Sequence, residues 1–411
     1  MGLLNIGVRE MAKEPETRTF RAKEIFNTKI ILAVVILLLS TIILSFIPIG
    51  SLQKQVILGY LYALIPFALL LEWYYSGKQK FGKLAFSRII NGVVYFLLVY
   101  FLIKTPDDVT LVPVLYTIGV TSAVVVLGTF SISDKPFTLP SRKLRTYIDL
   151  FVNGSLIGLG DFFAKVVQLL PPILIGIFLS LKDAGIYGAA FRIIMIAMML
   201  DRIFVNLLLP NLASLWTANK EAAVQRVNMV LKLVMVGGAV ISILTAVNAE
   251  QIISLLYGSD FVESVELLQI LSGFILLTFI NSLFSFGLIA TNNDQKYFLA
   301  TAIGGSVSAV IIVLFSTLGT PNLVAVSILI AELILMLSSY FWFRKIISVK
   351  LLRPFLVITL LIGLLFIAFE QFDVHHIIAS VISIIVIPFV AWNTRIIKIG
   401  ELSWVKEKLI K

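Results

Sequence analysis

Arg192, Lys165 and Arg202 are cations, and Asp161 and Glu332 acids, set inside apolar runs long enough to cross a bilayer. An ionisable side chain in such a run is costly, so it normally faces a bundle interior or a water-filled cavity that serves a pathway or a ligand. Four of the five fall within residues 148–210, a hairpin that turns at Lys182-Asp183 and whose second apolar run stops at Pro210. We read this hairpin as one wall of a substrate cavity. Arg192 lies about 10 Å below the outer surface at 1.5 Å of rise per residue, and a guanidinium suits bidentate contact with phosphate. The competing role for Arg192 is a structural arginine whose head snorkels to the interface. Asp161 and Lys165 are spaced i,i+4 and share a helix face. Either they neutralise one another, or Lys165 is a cavity cation tuned by the acid. Asp201 is nine residues beyond Arg192, near the opposite helix face, so Arg202 rather than Asp201 is expected to share the cavity with Arg192. If transport is coupled to protons or sodium, Asp161 and Glu332 are deep enough to take part; otherwise Glu332 is the partner of a polar group on a neighbouring helix.

The elements that hold these residues follow from composition. The chain has 411 residues, 59% of them hydrophobic and 14% charged, with mean hydropathy +1.02. A soluble domain carries about 25% charged residues, so this is an integral membrane protein. Twelve apolar runs of membrane length extend from 30–47 to 374–394, and the central ones are 148–180 and 185–209. Placing the N-terminus in the cytoplasm collects nearly all Lys and Arg of the connections on that side. The opposite connections hold only Lys54, Lys104 and Lys182, while Asp107, Asp108, Glu250, Asp260, Glu263 and Asp373 gather there. By the positive-inside rule both termini are cytoplasmic, and loop placement rather than nucleic acid accounts for the net charge of +10. Residues 1–28 are charged and lack the apolar centre of a signal peptide.

Other features carry no chemistry of their own. There is no Cys, so neither disulfides nor thiolate metal sites are expected, and the adjacent His375 and His376 read as surface residues rather than metal ligands. No cofactor is expected. Gly154, Gly158 and Gly160 follow no strand and so form no nucleotide loop; their spacing lets membrane helices approach closely. Pro171-Pro172 is expected to kink or break the fifth run. Glu72-Trp73-Tyr74-Tyr75 reads as an interfacial aromatic belt, and Arg88 and Lys232 as snorkelling cations.

A repeat is visible. Ser76-Gly77-Lys78-Gln79-Lys80-Phe81 after the second run aligns with Asn292-Asn293-Asp294-Gln295-Lys296-Tyr297 after the eighth, pairing the first four runs with the seventh to tenth. The second half then has an opening hairpin, 148–209, for which the first half has no counterpart. The chain is therefore expected to lack an N-terminal helix pair.

Several segments resemble polysaccharide flippases of the multidrug/oligosaccharidyl-lipid/polysaccharide (MOP) exporter superfamily. Asn5-Ile6-Gly7-Val8-Arg9-Glu10-Met11-Ala12-Lys13 is similar to the end of their second helix, and Glu72-Trp73-Tyr74-Tyr75-Ser76-Gly77-Lys78 to the close of their fourth. Gly185-Ile186-Tyr187-Gly188-Ala189-Ala190-Phe191-Arg192-Ile193 resembles the start of their eighth helix and Leu209-Pro210-Asn211-Leu212 its end. Leu256-Tyr257-Gly258, followed by Leu267-Leu268-Gln269-Ile270-Leu271, resembles their ninth-to-tenth connection.

The resemblance implies an all-α polytopic membrane protein of about twelve helices, with a two-lobed MOP/MATE-like flippase fold whose first two helices are missing. Residues 1–28 would be a cytoplasmic segment left from family helix two, 29–130 an incomplete N-terminal lobe and 131–147 a cytoplasmic linker. Residues 148–345 would be the C-terminal lobe, 346–395 two peripheral helices and 396–411 a basic cytoplasmic tail. The implied function is alternating-access transfer of a polyprenyl-pyrophosphate-linked oligosaccharide across the bacterial cytoplasmic membrane, for O-antigen, capsule or exopolysaccharide assembly. Arg192 aligns with an arginine that family members place in the cavity, and with Lys165 and Arg202 it would bind substrate. The implied partners are the lipid-linked oligosaccharide, membrane lipid and other polysaccharide-assembly membrane proteins, with no nucleic acid. A cation-coupled multidrug exporter of the same superfamily is the alternative. An enzyme is disfavoured, because no external connection exceeds about 15 residues, too short for a polymerase's catalytic loop.

Overall fold

The computed structural model describes residues 2–13, 22–134, 144–394 and 396. They form α1 (Gly2–Ala12), α2 (Ala22–Phe46), α3 (Ser51–Tyr62), α4 (Leu64–Leu69), α5 (Glu72–Gly77), α6 (Phe81–Leu102), α7 (Val112–Asp134), α8 (Leu144–Phe178), α9 (Leu181–Ala218) and α10 (Lys220–Val247). The rest are α11 (Ala249–Tyr257), α12 (Ser264–Ala290), α13 (Asp294–Ser316), α14 (Pro321–Phe343), α15 (Leu352–Gln371) and α16 (His376–Asn393). Within the described residues, 12 helical stretches are long and apolar enough to span a bilayer. The protein is a multi-pass, all-helical membrane protein.

The chain divides into two compact units, Met1–Gly158 and Leu159–Lys411, the division falling inside α8. In the first unit α6 pairs with α7, α3 with α7, α2 with α4, and α1 lies against α5. Gly7 seats the Trp73 ring, and Gly77 sits under Val8 and Met11. Trp73 and Tyr75 are fully buried and Tyr74 nearly so, so this run is not the interfacial belt expected of it: α1 covers it. Gly2 meets the backbone at Gly154 and Gly158, the close approach for which the glycine spacing is suited.

The run expected at 55–75 is three helical pieces. Pro66 has no N–H to give the Tyr62 carbonyl, which weakens the helix where α3 gives way to α4. At the second break, Leu70 is extended and its freed carbonyl accepts from Lys29 Nζ at 3.0 Å. Arg88 does not simply snorkel: its fork donates to both oxygens of Glu72, at 2.9 and 3.0 Å.

In the second unit α12 is the central helix, packed against α9, α10 and α14, with α13 on α14 and the α15–α16 pair on α10. The interior is aromatic at one level, where Tyr187 stacks on Phe191 and Phe191 meets Phe274 edge-on. Pro171 and Pro172 do not break α8, which stays helical through both. Two missing hydrogen bonds are tolerated where neighbouring helices hold the segment. Pro210 likewise does not end α9, which continues to Ala218.

The short repeat is real in geometry but shifted in register. Gln79 and Asn292 both adopt left-handed backbone, φ 56° and 59°. At each, one N–H closes three residues back (Gln79 to Ser76, Asn292 to Ile289) and the next closes five back (Lys80 to Tyr75, Asn293 to Leu288). This is a Schellman cap without glycine. Gln79 is thus the structural counterpart of Asn292, three residues away from the alignment that pairs it with Gln295. Asp373 closes α15 in the same way.

Candidate functional site

All the candidate side chains lie in the second unit. On α8, Asp161 is buried on the stripe that carries Ile157, Gly160 and Val167. Its Oδ1 accepts from the Tyr297 hydroxyl of α13 at 2.5 Å. Gly160 makes room for this contact, since a Cβ there would lie 2.6 Å from the Tyr297 ring. Gly305 in turn admits the α8 backbone at Phe163. Small residues thus bring α8 and α13 close enough for a tyrosine to reach an acid four residues from Lys165.

Lys165 is half-buried. It lies within electrostatic reach of Asp161 on its own helix and of Arg202 on α9. Two of the expected cations, on different helices, are thus within reach of one another's charge, and Asp161 is within reach of Lys165. Arg192 stands apart: ten residues separate it from Arg202, about 15 Å along the axis. It is exposed on the α9 face that also shows Ile196, Met199 and Ile203. Arg192 and Arg202 therefore lie about three turns apart along α9.

On the opposite face of α9, Asp201 is buried among Ile194, Met198 and Val205. Its Oδ2 accepts from Ser282 of α12 at 2.7 Å, while Oδ1 is buried without a hydrogen bond. The preceding residue, Asn281, donates to Glu332 of α14 at 2.9 Å and accepts from Ser285 at 3.0 Å. Ser285 and Ser339 are 3.1 Å apart. The buried Thr278 hydroxyl turns toward Glu332 without closing a hydrogen bond. Glu332 and Asp201 are thus linked to one short segment of α12 and feel one another's charge. Each carboxylate keeps at least one hydrogen bond, which matters because an unpaired buried carboxylate costs several kcal/mol; Asp201 Oδ1 and the Thr278 hydroxyl are the unsatisfied members.

Sequence reasoning gives Glu332 an unnamed polar partner on a neighbouring helix and sets Asp201 on the face opposite Arg192 without a role, but it misses the α12 residues. Their signal is nonetheless present: Thr278, Asn281, Ser282 and Ser285 recur at three and four residues in an otherwise apolar helix, marking one polar stripe. Among the described residues no group of three or more His, Cys, Asp or Glu side chains is placed to hold a metal ion. His375 accepts from the Ile377 amide at the start of α16, and His376 meets Gln251 at 3.2 Å.

Solved transporters share this arrangement of helices. The Vibrio cholerae MATE transporter VcmN, in a mutant form, superposes with a TM-score of 0.67 at 13% identity, over 84% of this chain and 86% of that one. The lipid II flippase MurJ, in an inward closed conformation, gives 0.64 at 14% identity, over 96% and 90%. A MOP-superfamily transporter from Pyrococcus furiosus gives 0.58 at 15% identity, over 84% and 83%. The fold is that of the MOP transporters. No curated protein sequence matches the chain. The family model described as "Polysaccharide biosynthesis protein" matches residues 1–216, and the chain belongs to that family. It is a multi-pass membrane protein of that family, with the fold of solved transporters.

Proposed function

We propose that the chain moves a polyprenyl-pyrophosphate-linked oligosaccharide across the bacterial cytoplasmic membrane by alternating access, with both termini cytoplasmic, for O-antigen, capsule or exopolysaccharide assembly. The observation that carries this reading is that Lys165 and Arg202, on different membrane-length helices, lie within reach of one another's charge in a polysaccharide-biosynthesis family member. The fold likeness to a flippase of lipid II, itself a lipid-linked substrate, supports it. Lys165 and Arg202 form one station for the diphosphate and Arg192, further along α9, a second. A charged head passed from one to the other would advance about 15 Å without entering oil. Asp161 keeps Lys165 from being a bare charge when no substrate is bound. Asp201 and Glu332 are the groups that would carry a coupling proton or sodium ion, with Asp161 as a further candidate.

The MATE likenesses favour a drug exporter only at the level of fold, whereas the family match concerns polysaccharide. The test is surface glycan display in a deletion strain complemented with variants of the protein. Lys165→Ala with Arg202→Ala is expected to reduce display at least tenfold, since a hydrogen bond to a charged group contributes about 1.5–3 kcal/mol. Arg192→Ala is expected to do so separately. Membrane levels should stay normal in both. Undiminished glycan in either variant removes that station, and undiminished glycan in both removes the reading.

A further inference from the structure

Within the first unit, Tyr60 of α3, Tyr95 of α6 and Tyr116 of α7 meet ring to ring. Tyr116 is the hub, with Tyr60 edge-on at 5.8 Å and Tyr95 edge-on at 5.7 Å between ring centres. Each hydroxyl is within electrostatic reach of the other two, so polar tips from three helices gather in one place. Glycines build this meeting. A Cβ at Gly59 would lie 2.7 Å from Pro113, and one at Gly119 would lie 2.9 Å from Asn91 Oδ1 and 3.0 Å from Tyr95 Cβ. Small residues thus let α3 and α6 both come close to α7.

Asn91 extends the patch inward. It lies one turn from Tyr95 on the same face of α6, ten residues from Phe81 and eleven from Leu102, near the middle of the span. Its amide can donate twice and accept, yet among the described residues it has no hydrogen-bond partner, and it is only half-buried. The three phenol hydroxyls likewise have no partner among the described residues, and none is sealed from the surface. A belt of tyrosines at the membrane surface accounts for rings near the end of a span, but not for an amide at its centre. A polar group at that depth is costly against acyl chains and belongs in a wet or ligand-filled space.

The chemistry of the patch selects its occupant. The stretches that carry it, 55–71, 89–103 and 109–133, contain no Asp, Glu, Lys, Arg or His, so it offers no charge to an ion or a phosphate. An alkyl chain would leave its polar groups unpaired. A sugar ring suits both halves: its C–H groups pack on aromatic rings, whose faces are electron-rich, and its hydroxyls exchange hydrogen bonds with phenol and amide.

We propose that Tyr60, Tyr95, Tyr116 and Asn91 bind an uncharged pyranose ring. The tyrosine rings pack on its C–H groups, and the phenol hydroxyls and the Asn91 amide hold its hydroxyls. That this ring is part of a lipid-linked glycan rests on the function proposed above; the site itself does not.

The test uses the full chain purified in a polyoxyethylene detergent, which has no sugar headgroup. The probes are the methyl β-glycosides of glucose, galactose and N-acetylglucosamine, with that of glucuronate as the charged counterpart. Saturation-transfer NMR reads binding, and titration gives the dissociation constant. At least one neutral glycoside should bind, with the strongest transfer to its ring C–H protons. Asn91→Leu with Tyr95→Phe should weaken that binding at least tenfold. Tyr100→Phe, a tyrosine exposed on another face of α6, should not. Neither residue of the double variant makes a side-chain hydrogen bond among the described residues, so the fold should survive. Should it not, tyrosine nitration of the unaltered protein decides: the bound glycoside should slow nitration of Tyr60, Tyr95 and Tyr116 relative to Tyr100. The proposal is overturned if no neutral glycoside binds, if the double variant binds as the wild type does, or if the glycoside leaves nitration unchanged. Glucuronate binding tenfold tighter than every neutral probe would make this an anion site and overturns it too. Binding is read on purified protein, so its failure and that of the transport reading are told apart.

Discussion

The two units handle charge in opposite ways. In the first, the stretches 30–53, 55–71, 89–103 and 109–133 contain no Asp, Glu, Lys, Arg or His. Its charges gather on α1 and at the adjoining ends of α2, α5 and α6, often paired: Lys13 with Glu10 at 2.6 Å, Arg88 with Glu72 at 2.9 Å. In the second, Asp161, Lys165, Arg192, Asp201, Arg202 and Glu332 sit well inside spans. Packing differs for the central helix. The apolar centre of α12 is 83% buried, whereas those of α2 and α6 are 11% buried. A helix wrapped by its neighbours can offer a stripe of hydroxyl and amide groups to acids on two sides. A helix with an open apolar flank cannot, so its unit keeps charge at the ends.

The strongest way to break that contrast is to put an acid where the first unit has no partner for it. Ala123, in the middle of α7, is 2% exposed. Ala123→Asp should cost about 3 kcal/mol for the charge alone at a helix centre. The protein should then largely disappear from the membrane fraction on an immunoblot. Normal accumulation would mean that the first unit holds polar partners after all, and the contrast would fall.

A smaller effect sharpens the same contrast. Asn281→Leu strands the Glu332 carboxylate, at about 1–3 kcal/mol for an orphaned buried group. Asn91→Leu on α6, half-buried against Gly119, should change stability by well under 1 kcal/mol. Thermal unfolding of the two variants in one detergent compares them directly. Equal losses would show that α12 has no special hold on the acids.

How far the sequence could be read follows from the same physics. Span number, helical class and the deep ionisable residues are legible because charge in oil is costly wherever the helices go. Arg192 and Asp201, nine residues apart, are correctly set on opposite faces by helical period alone. Which face is buried is not legible, because α9 is apolar nearly all round and only the arrival of Ser282 selects Asp201 for the interior. Pro66 and Pro171 show the complementary difficulty. Each lacks the same N–H, yet α8 continues through Pro171 and Pro172 while the helix around Pro66 breaks. The outcome is set by the packing around each proline, which is tertiary information. The turn repeat misleads by three residues because the letters Gln-Lys recur, whereas the backbone requirement is one left-handed residue that Gln79 and Asn292 both meet.

The smallest predicted effect concerns Asp161, where the sequence leaves two readings open: a pair closed on itself, or a cavity lysine whose charge the acid tunes. Asp161 is anchored by Tyr297 from another helix, and Lys165 is only half-buried and also within reach of Arg202. A double-mutant cycle separates the readings. With Asp161→Asn and Lys165→Gln, a closed pair should give a coupling above about 1 kcal/mol in unfolding stability. An available lysine should give a coupling of a few tenths of a kcal/mol, as exposed pairs do. Tyr297→Phe supplies the control: it removes the anchor and should cost about 1 kcal/mol whatever Lys165 does. We expect weak coupling in stability together with a loss of glycan display in Lys165→Gln. Strong coupling with undiminished display would return Lys165 to a structural role and leave Arg202 and Arg192 to meet the substrate without it.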